Sequence, residues 1–230
     1  MNHNDYLFYQ NEGEFKFIRK FDLMYSRCDD PHGQSSELTQ LGYKIVSLTL
    51  KHMLSMLPVP SSGTLIDMGC GLGYFTGYLQ EQLPGWEVSG ADISAIALSK
   101  AAKRVPSCRF IKLDLKDNAT IPKEKFDVLI AMNVLYYFTE QEIHKVVENI
   151  ANIAKRSALL IVGYHMPEIM NFGRYIQSLE DARELLEPWG FEYRLGLDLD
   201  NKVDQTYAGA AVGRHLYFAF QYVRDGISAK

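Results

Sequence analysis

A short apolar strand that runs into three alternating glycines constrains the fold of this chain more than any other segment. The strand is predicted over residues 64–68, and the glycines are Gly69, Gly71 and Gly73. Glycine permits positive φ angles and lets another molecule approach the main chain closely. A helical pattern begins directly after the last glycine, and a helix N-terminus presents free N–H groups. The segment therefore predicts a strand, a turn with an open main chain and a helix, in that order.

Further strands and helices alternate through the rest of the chain. The predicted strands cover residues 64–68, 87–91, 108–113, 126–132, 158–164, 191–197 and 215–223, and the predicted helices cover residues 74–83, 95–105, 140–155 and 181–188. Strands that are separated by helices of this length form a parallel sheet with right-handed crossovers. Since no convincing helix separates the last two strands, we expect them to form an antiparallel pair. The prediction is an α/β fold, with a Rossmann-like, mostly parallel sheet of seven strands and helices on both faces.

The first 57 residues do not follow this alternation. They are rich in aromatic and charged residues, and we predict a short helix near residues 13–25 and a second helix over residues 36–57, capped by Ser36. Apolar residues fall at helical spacing in the second helix: Leu38, Leu41, Ile45 and Leu48. We expect residues 1–57 to form a helical cap on a domain of residues 58–230, and their aromatic side chains to close over a ligand as a lid.

The composition narrows the choice of partners. The 230 residues carry a formal net charge of -4 without a run of Lys or Arg, which argues against a nucleic acid partner. Cys28, Cys70 and Cys108 match no zinc or redox spacing, so we expect reduced thiols and no metal. The N-terminus lacks the pattern of a signal peptide, and no apolar run is long enough to span a bilayer. These observations predict a cytoplasmic monomer or homodimer that acts on a small molecule away from membranes.

An acidic residue close to the glycines distinguishes between two classes of cofactor. Dinucleotide-binding folds use G-x-G-x-x-G, whereas the third glycine of this chain comes one residue early. Asp67 ends the strand, where a carboxylate would repel a pyrophosphate but can accept hydrogen bonds from a cationic amino acid. S-adenosylmethionine carries an ammonium and a sulfonium group and no phosphate, so the pattern favours this cofactor over NAD.

Residues 67–75 resemble motif I of the class I S-adenosylmethionine-dependent methyltransferases, and the similarity extends over most of the chain. The resemblance implies that the main chain of the turn packs against the methionine and adenosine portions of the cofactor. Asp92 ends the next strand, where a carboxylate can hold both ribose hydroxyls. The resemblance further implies that Asp114 and the Leu115 N–H recognise adenine. The predicted cofactor-binding residues are Asp67, Gly69, Cys70, Gly71, Gly73, Asp92, Ile93, Asp114, Leu115, Met132 and Asn133.

The segment after the fourth core strand is expected to face the methyl acceptor, because open α/β sheets bind ligands at the carboxyl ends of their strands. Residues 133–137 are similar to the corresponding stretch of the nodulation protein S family of N-methyltransferases, which act on an amino sugar. Residues 29–31 are similar to an acidic-proline turn of such proteins, but His32 stands where a tryptophan is expected. A neutral amine needs little beyond deprotonation, whereas a hydroxyl needs a general base. The candidate catalytic residues are Tyr136, His165 and His32.

Several functions are compatible with this pattern. The leading interpretation is methyl transfer from S-adenosylmethionine to a small molecule, with an amine or amino sugar slightly favoured. The alternatives are a small-molecule O-methyltransferase, a NAD-dependent dehydrogenase and a protein that keeps the cofactor fold without catalysis. A nucleic acid methyltransferase is disfavoured by the acidic charge and by the lack of an Asp/Asn-Pro-Pro-aromatic signature after the fourth core strand.

Overall fold

The computed structural model describes residues 6–11, 14–166, 176, 178–201 and 213–224 of the chain. The described strands are β1 (Phe8–Asn11), β2 (Glu14–Phe17), β3 (Gly63–Met68), β4 (Trp86–Asp92), β5 (Arg109–Lys112), β6 (Phe126–Met132), β7 (Ala154–Met166), β8 (Phe191–Asn201) and β9 (Gly213–Tyr222). The described α-helices are α1 (Phe21–Arg27), α2 (Glu37–Met56), α3 (Tyr74–Gln82), α4 (Ala95–Arg104), α5 (Glu140–Asn152) and α6 (Leu179–Leu186). None of these helices is long and apolar enough to cross a membrane.

Seven strands form one sheet in the order β5-β4-β3-β6-β7-β9-β8. The strands from β5 to β7 pair in parallel, whereas β9 runs antiparallel to both β7 and β8. The direction of winding reverses between β3 and β6, and such a switch point leaves a crevice at the carboxyl ends of the strands. The predicted fold class, including the antiparallel pair, is therefore confirmed.

Both faces of the sheet are covered, which explains why its central strands are almost continuously apolar. Leu65 and Ile66 of β3 and Leu129 of β6 are completely buried. Apolar residues of α5 and α6 pack on one face, and apolar residues of α2 and α3 pack on the other. This packing fixes the carboxyl ends of β3, β4 and β6 side by side.

The apolar residues that α2 buries against the sheet are not the ones that the sequence analysis named for their helical spacing. Ser36 caps the helix as predicted, because its side chain accepts a hydrogen bond from the Thr39 N–H. Residues Leu50, Met53 and Leu54 are buried against the sheet. The four residues at helical spacing, Leu38, Leu41, Ile45 and Leu48, all remain more than half exposed.

The prediction of a helix near residues 13–25 is wrong for the first half of that segment. Strands β1 and β2 form an antiparallel hairpin there, with Phe8 opposite Phe17, and α1 begins only at Phe21. Residues 14–17 alternate charged and aromatic side chains, a period of two that suits a strand, and aromatic residues have high β-propensity. The hairpin leads into α1, which packs on α4.

Gly73 is the N-cap of α3 and brings that helix close to α4 and β5. Its φ angle is +76°, and a Cβ at this position would lie 2.9 Å from the Cβ of Ala101 and 3.2 Å from the ring of Phe110. Both the backbone conformation and the close packing therefore require glycine.

We expect Gly73→Ala to lower the free energy of unfolding by about 2–4 kcal/mol, because a left-handed φ and overpacking each cost about 1–2 kcal/mol. Urea denaturation measures the change. Gly77→Ala in the same helix is the matched control. Gly77 has no positive φ and only the end of the Val105 side chain nearby, so its change should stay within about 1 kcal/mol. Equal losses in the two variants would contradict this role for Gly73.

Candidate functional site

The carboxyl ends of β3, β4 and β6, together with the N-terminal segment and α2, surround a cavity of about 810 Å³. Ten of the eleven predicted cofactor-binding residues line it: Asp67, Gly69, Cys70, Gly71, Asp92, Ile93, Asp114, Leu115, Met132 and Asn133. Gly73 has the packing role described above and does not line the cavity. Of the candidate catalytic residues, Tyr136 and His32 line it. His165 lies in β7 with its backbone paired to His215, and its side chain is outside the described part of the structure.

Asp67 is a buried carboxylate at the end of β3. Its exposed fraction is 2%, and its Oδ2 accepts a hydrogen bond of 2.7 Å from the Thr76 hydroxyl. Its Oδ1 accepts no hydrogen bond from the described residues. Burial disfavours the charged form and raises the pKa of Asp67 to about 7, although the bond from Thr76 acts in the opposite direction. A cationic group in the cavity would find an acceptor oxygen here.

Asp92 holds the glycine turn against the end of β4. Its Oδ2 accepts a hydrogen bond of 2.9 Å from the Gly71 N–H, and its Oδ1 accepts one of 2.8 Å from the Ser94 N–H. Ser94 is the N-cap of α4, because its hydroxyl accepts a hydrogen bond from the Ala97 N–H. Asp92 therefore does not cap this helix. Burial raises the pKa of Asp92, and the two backbone hydrogen bonds partly counteract this rise. Each carboxylate oxygen has a second lone pair that a ligand hydroxyl can use.

The glycine turn is covered by two N-terminal residues that the sequence analysis missed. Gly71 has a φ angle of +54°, and a Cβ there would lie 2.8 Å from Gln34 Oε1 and 2.9 Å from the Tyr25 hydroxyl. Gln34 Oε1 also accepts a hydrogen bond of 2.8 Å from the Leu72 N–H. Asp30 orients this glutamine, because its carboxylate accepts hydrogen bonds from the N–H groups of Gln34 and Ser35. The Asp30-Pro31 turn was the only signal in the sequence that could have pointed to Gln34.

The loop after β5 is held in place by hydrogen bonds on both sides of Asp114 and Leu115. The Asp114 N–H donates to the Thr120 hydroxyl at 2.9 Å, and Asp114 Oδ1 accepts from the Lys116 N–H at 3.1 Å. The Leu115 carbonyl accepts from the Asn149 side chain of α5 at 2.8 Å. The loop is therefore fixed before any ligand enters the cavity.

The segment after β6 contributes aromatic residues, among them Tyr136 and Tyr137, to the cavity wall. Asn133 has a φ angle of +57°, and its N–H donates to the Gly163 carbonyl at 2.8 Å. The rings of Tyr136 and Tyr137 are 4.5 Å apart, and both residues line the cavity. Burial raises the pKa of the Tyr136 hydroxyl well above its ordinary value. Tyr136 therefore remains protonated at neutral pH, which makes it a hydrogen-bond donor and a poor general base.

Three basic side chains line the cavity among the described residues: Arg19, Lys116 and the exposed His32. Arg19 and Lys116 are both paired with one carboxylate, that of Glu142. Arg19 binds Glu142 with two guanidinium nitrogens and donates to the Tyr137 carbonyl at 2.9 Å. Lys116 reaches the same carboxylate at 3.2 Å. Burial acts to raise the pKa of Glu142, but these cations and the Thr139 N–H lower it to about 2. Little positive charge is left over for an anionic ligand.

The three thiols lie in different surroundings. Cys28 is exposed at the end of α1, whereas Cys70 and Cys108 are buried. Burial raises the pKa of the Cys70 thiol well above its ordinary value, and the neighbouring carboxylates of Asp92 and Asp67 raise it further. Cys70 is therefore an uncharged part of the cavity wall.

Residues 65–157 match the family that is described as a methyltransferase domain. The match begins in β3 and ends in β7, so it includes the glycine turn and the carboxyl ends of β3, β4 and β6. The nodulation protein NodS of Bradyrhizobium japonicum, solved with S-adenosyl-L-homocysteine, has a similar fold with a TM-score of 0.66 and 17% identity, over 88% of this chain and 98% of that one. The predicted resemblance to this class and to the NodS type is confirmed, and so is the predicted cofactor, S-adenosylmethionine.

The chain is also similar to curated proteins. A trans-aconitate 2-methyltransferase of Rhodopseudomonas palustris is 30% identical over 139 residues, which are 60% of this chain and 51% of that protein. A protein of the same name from Paracidovorax citrulli is 35% identical over 79 residues, which are 34% of this chain and 30% of that protein. This chain thus spans about half of the first relative and less than a third of the second.

The residues of the cavity fit S-adenosylmethionine by their chemistry. Asp67 offers an acceptor oxygen to a cationic amino acid, and Asp92 offers lone pairs to hydroxyl groups. Gly69 and Gly71 of the turn line the cavity, and Gln34 and Tyr25 lie so close to Gly71 that a Cβ there would meet them. These features agree with the demands of a cofactor that is cationic at one end and a nucleoside at the other.

The raised pKa of Asp67 predicts a dependence of stability on pH. Between its ordinary value of 3.8 and the folded value of about 7, the unfolded chain releases this proton while the folded chain keeps it. The contribution of Asp67 to stability therefore falls as pH rises through this interval and stays constant above it. We expect Asp67→Asn to be more stable than the wild type by a margin that grows from pH 4 to pH 7, up to about 4 kcal/mol.

Urea denaturation at pH 5 and pH 8 without cofactor measures this margin. Asp127→Asn is a control of opposite sign. The pKa of Asp127 is lowered because hydrogen bonds from Lys155 and Thr64 outweigh its partial burial. This variant should therefore be less stable than the wild type at pH 8, with a smaller loss at low pH. A margin for Asp67→Asn that does not change with pH would contradict the assignment.

Proposed function

We propose that this protein transfers the methyl group of S-adenosylmethionine to a small-molecule nucleophile, with an amine favoured over a hydroxyl. The observation that carries the proposal is the pair of buried carboxylates, Asp67 and Asp92, beside a glycine turn that lines the same cavity. When bound, S-adenosylmethionine supplies an electrophilic methyl group on a sulfonium. In this role Asp67 would hold the ammonium group, Asp92 the ribose hydroxyls, and Asp114 with Leu115 the adenine.

The contribution of the chain to the reaction is alignment rather than acid-base chemistry. The amine first loses a proton to solvent, its lone pair then forms the new bond to carbon while the carbon–sulfur bond breaks with its electron pair left on sulfur, and the methylated ammonium product can release a further proton to solvent. Alignment of this kind can supply about 7–11 kcal/mol of the barrier. Asn133 and Tyr136 lie where the acceptor would stand, and the Tyr136 hydroxyl can donate a hydrogen bond to orient it.

The charges of the cavity favour an amine over other acceptors. A hydroxyl acceptor needs a base, and in this proposal the lining carboxylates hold the cofactor, which leaves His32, exposed beside Tyr25. A polycarboxylate such as trans-aconitate, named in the curated relatives, needs cations, whereas Arg19 and Lys116 are both held by Glu142. An amine that has lost its proton to solvent needs neither a base nor cations for the transfer itself. The absence of nucleic acid and membrane partners and the monomeric or homodimeric state stay predictions from the sequence.

Calorimetry and a labelled methyl-transfer assay test this function. We expect S-adenosylhomocysteine to bind and NAD not to bind, and Asp92→Ala to weaken that binding by about 10- to 100-fold, since a hydrogen bond to a charged group is worth about 1.5–3 kcal/mol. Asp127→Ala is the control, because Asp127 sits beside Thr64 at the other end of the sheet. The transfer assay compares amino sugars, phosphorylated amines, small phenols and trans-aconitate. Wild-type affinity in Asp92→Ala would refute the proposed pocket.

We also propose that residues 1–57 act as a cap whose first part closes over the cofactor. Arg19 supports this role, because it ties the segment after the hairpin to Tyr137 and to Glu142 of α5. Gln34 supports it from the other side through its bond to the Leu72 N–H. Closure by such a segment would exclude water and slow the release of ligand.

Stopped-flow release of S-adenosylhomocysteine measures this closure. We expect Arg19→Ala to release the ligand at least about tenfold faster, because the charge-assisted bonds that hold the segment are lost. Arg109→Ala breaks the more exposed ion pair with Glu124 and should leave the release rate unchanged. If limited proteolysis shows a loosened N-terminus in Arg19→Ala while the release rate stays at the wild-type value, the lid is excluded.

A further inference from the structure

One partly exposed face of α2 carries apolar residues where a surface helix is normally polar. Leu38, Leu41, Ile45 and Leu48 are 51–56% exposed. They follow one another at intervals of three or four residues and so form one stripe along the helix. From Leu38 to Leu48 the stripe extends for about 15 Å at 1.5 Å per residue. A contiguous exposed apolar patch of this kind marks a binding surface.

The stripe is continuous with the cavity. Leu38, Leu41 and Ile45 line it, whereas Leu48 lies beyond its mouth. Further in, Leu50 and Met53 of the same helix also line the cavity and pack in one cluster with Met132 at the end of β6. Apolar side chains of α2 therefore line the cavity both at its exposed end and beside Met132, at the start of the acceptor loop.

Two of the carboxylates of the cavity lie on the other side of β3. The strand order places β4 and β5, with Asp92 and Asp114 after them, on one side of β3, and β6 and β9 on the other. Met132 and Tyr217, from β6 and β9, line the cavity on the second side. A ligand that enters along α2 therefore meets apolar side chains before it reaches the glycine turn.

We propose that the methyl acceptor is an amine on an alkyl chain, with the chain lying on Leu38, Leu41 and Ile45 and the nitrogen lying at the loop after β6. This inference rests on the proposed methyl transfer and specifies its substrate class. The alkyl chain is covered by the stripe and by Met132, and the amine lies in a cavity where Arg19 and Lys116 are both paired with Glu142 and so repel it little. A short polar amine would leave the stripe in water.

Calorimetry with n-decylamine and n-propylamine, below the micellar concentration of the former, tests the proposal in the presence and absence of S-adenosylhomocysteine. We expect wild-type protein to bind decylamine more tightly than propylamine. Leu41→Ser and Ile45→Ser should each weaken decylamine binding by about tenfold, because each removes apolar surface from the chain's contact. Leu48→Ser is the matched control, since Leu48 is equally exposed but does not line the cavity, and it should bind decylamine as the wild type does.

Equal binding of the two amines by the wild type would overturn the proposal. A loss in Leu48→Ser as large as in the other two variants would also overturn it, and a wild-type dimer that these variants convert to monomers in sedimentation would identify a second copy as the occupant. S-adenosylhomocysteine binding should be the same in all variants. If S-adenosylhomocysteine binds neither to the variants nor to the wild type, the proposed methyl transfer is refuted. The decylamine measurements then test the alkyl-binding site alone.

Discussion

The carboxylate of Asp92 is the interaction on which the site depends. It accepts the N–H groups of Gly71 and Ser94, and so it joins the turn after β3 to the start of α4. Because parallel strands end at the same edge of the sheet, this one side chain fixes the spacing between two neighbouring loops. Burial of a charge beside a second buried carboxylate, Asp67, is costly. A protein that keeps both in one cavity favours a ligand that brings donors or positive charge.

The order and type of most core elements could be predicted because each carries its own local signal. β6 is an apolar run buried on both faces, and α5 has a complete capping box at Thr139 and Glu142. The hairpin of β1 and β2 could not be predicted from a helical period, since its aromatic residues alternate by two and its pairing depends on contact between separate segments. For the same reason, the buried face of α2 was decided by the sheet against which it packs rather than by the strongest apolar period in the helix.

The residues of the site also fall into those that the sequence could predict and those that it could not. Residues that follow a strand, such as Asp67, Asp92 and Asn133, could be placed at the cavity because sheet topology carries every strand end to one edge. Tyr25, Gln34 and Arg19 could not, since their positions depend on how the N-terminal segment folds back over the turn. The role of Gly73 as a packing residue likewise needed the positions of Ala101 and Phe110. Long-range contacts of this kind leave no periodic trace in the sequence.

The different surroundings of Cys28 and Cys70 determine which thiol reacts first with an oxidant or an alkylating agent. Cys70 stands inside the glycine turn, where burial and two neighbouring carboxylates keep it in the unreactive thiol form. Cys28 stands in the open at the end of α1. An oxidant or alkylating agent in solution therefore reacts first at the surface, and the turn is protected from covalent damage by the same charges that prepare it for a cation.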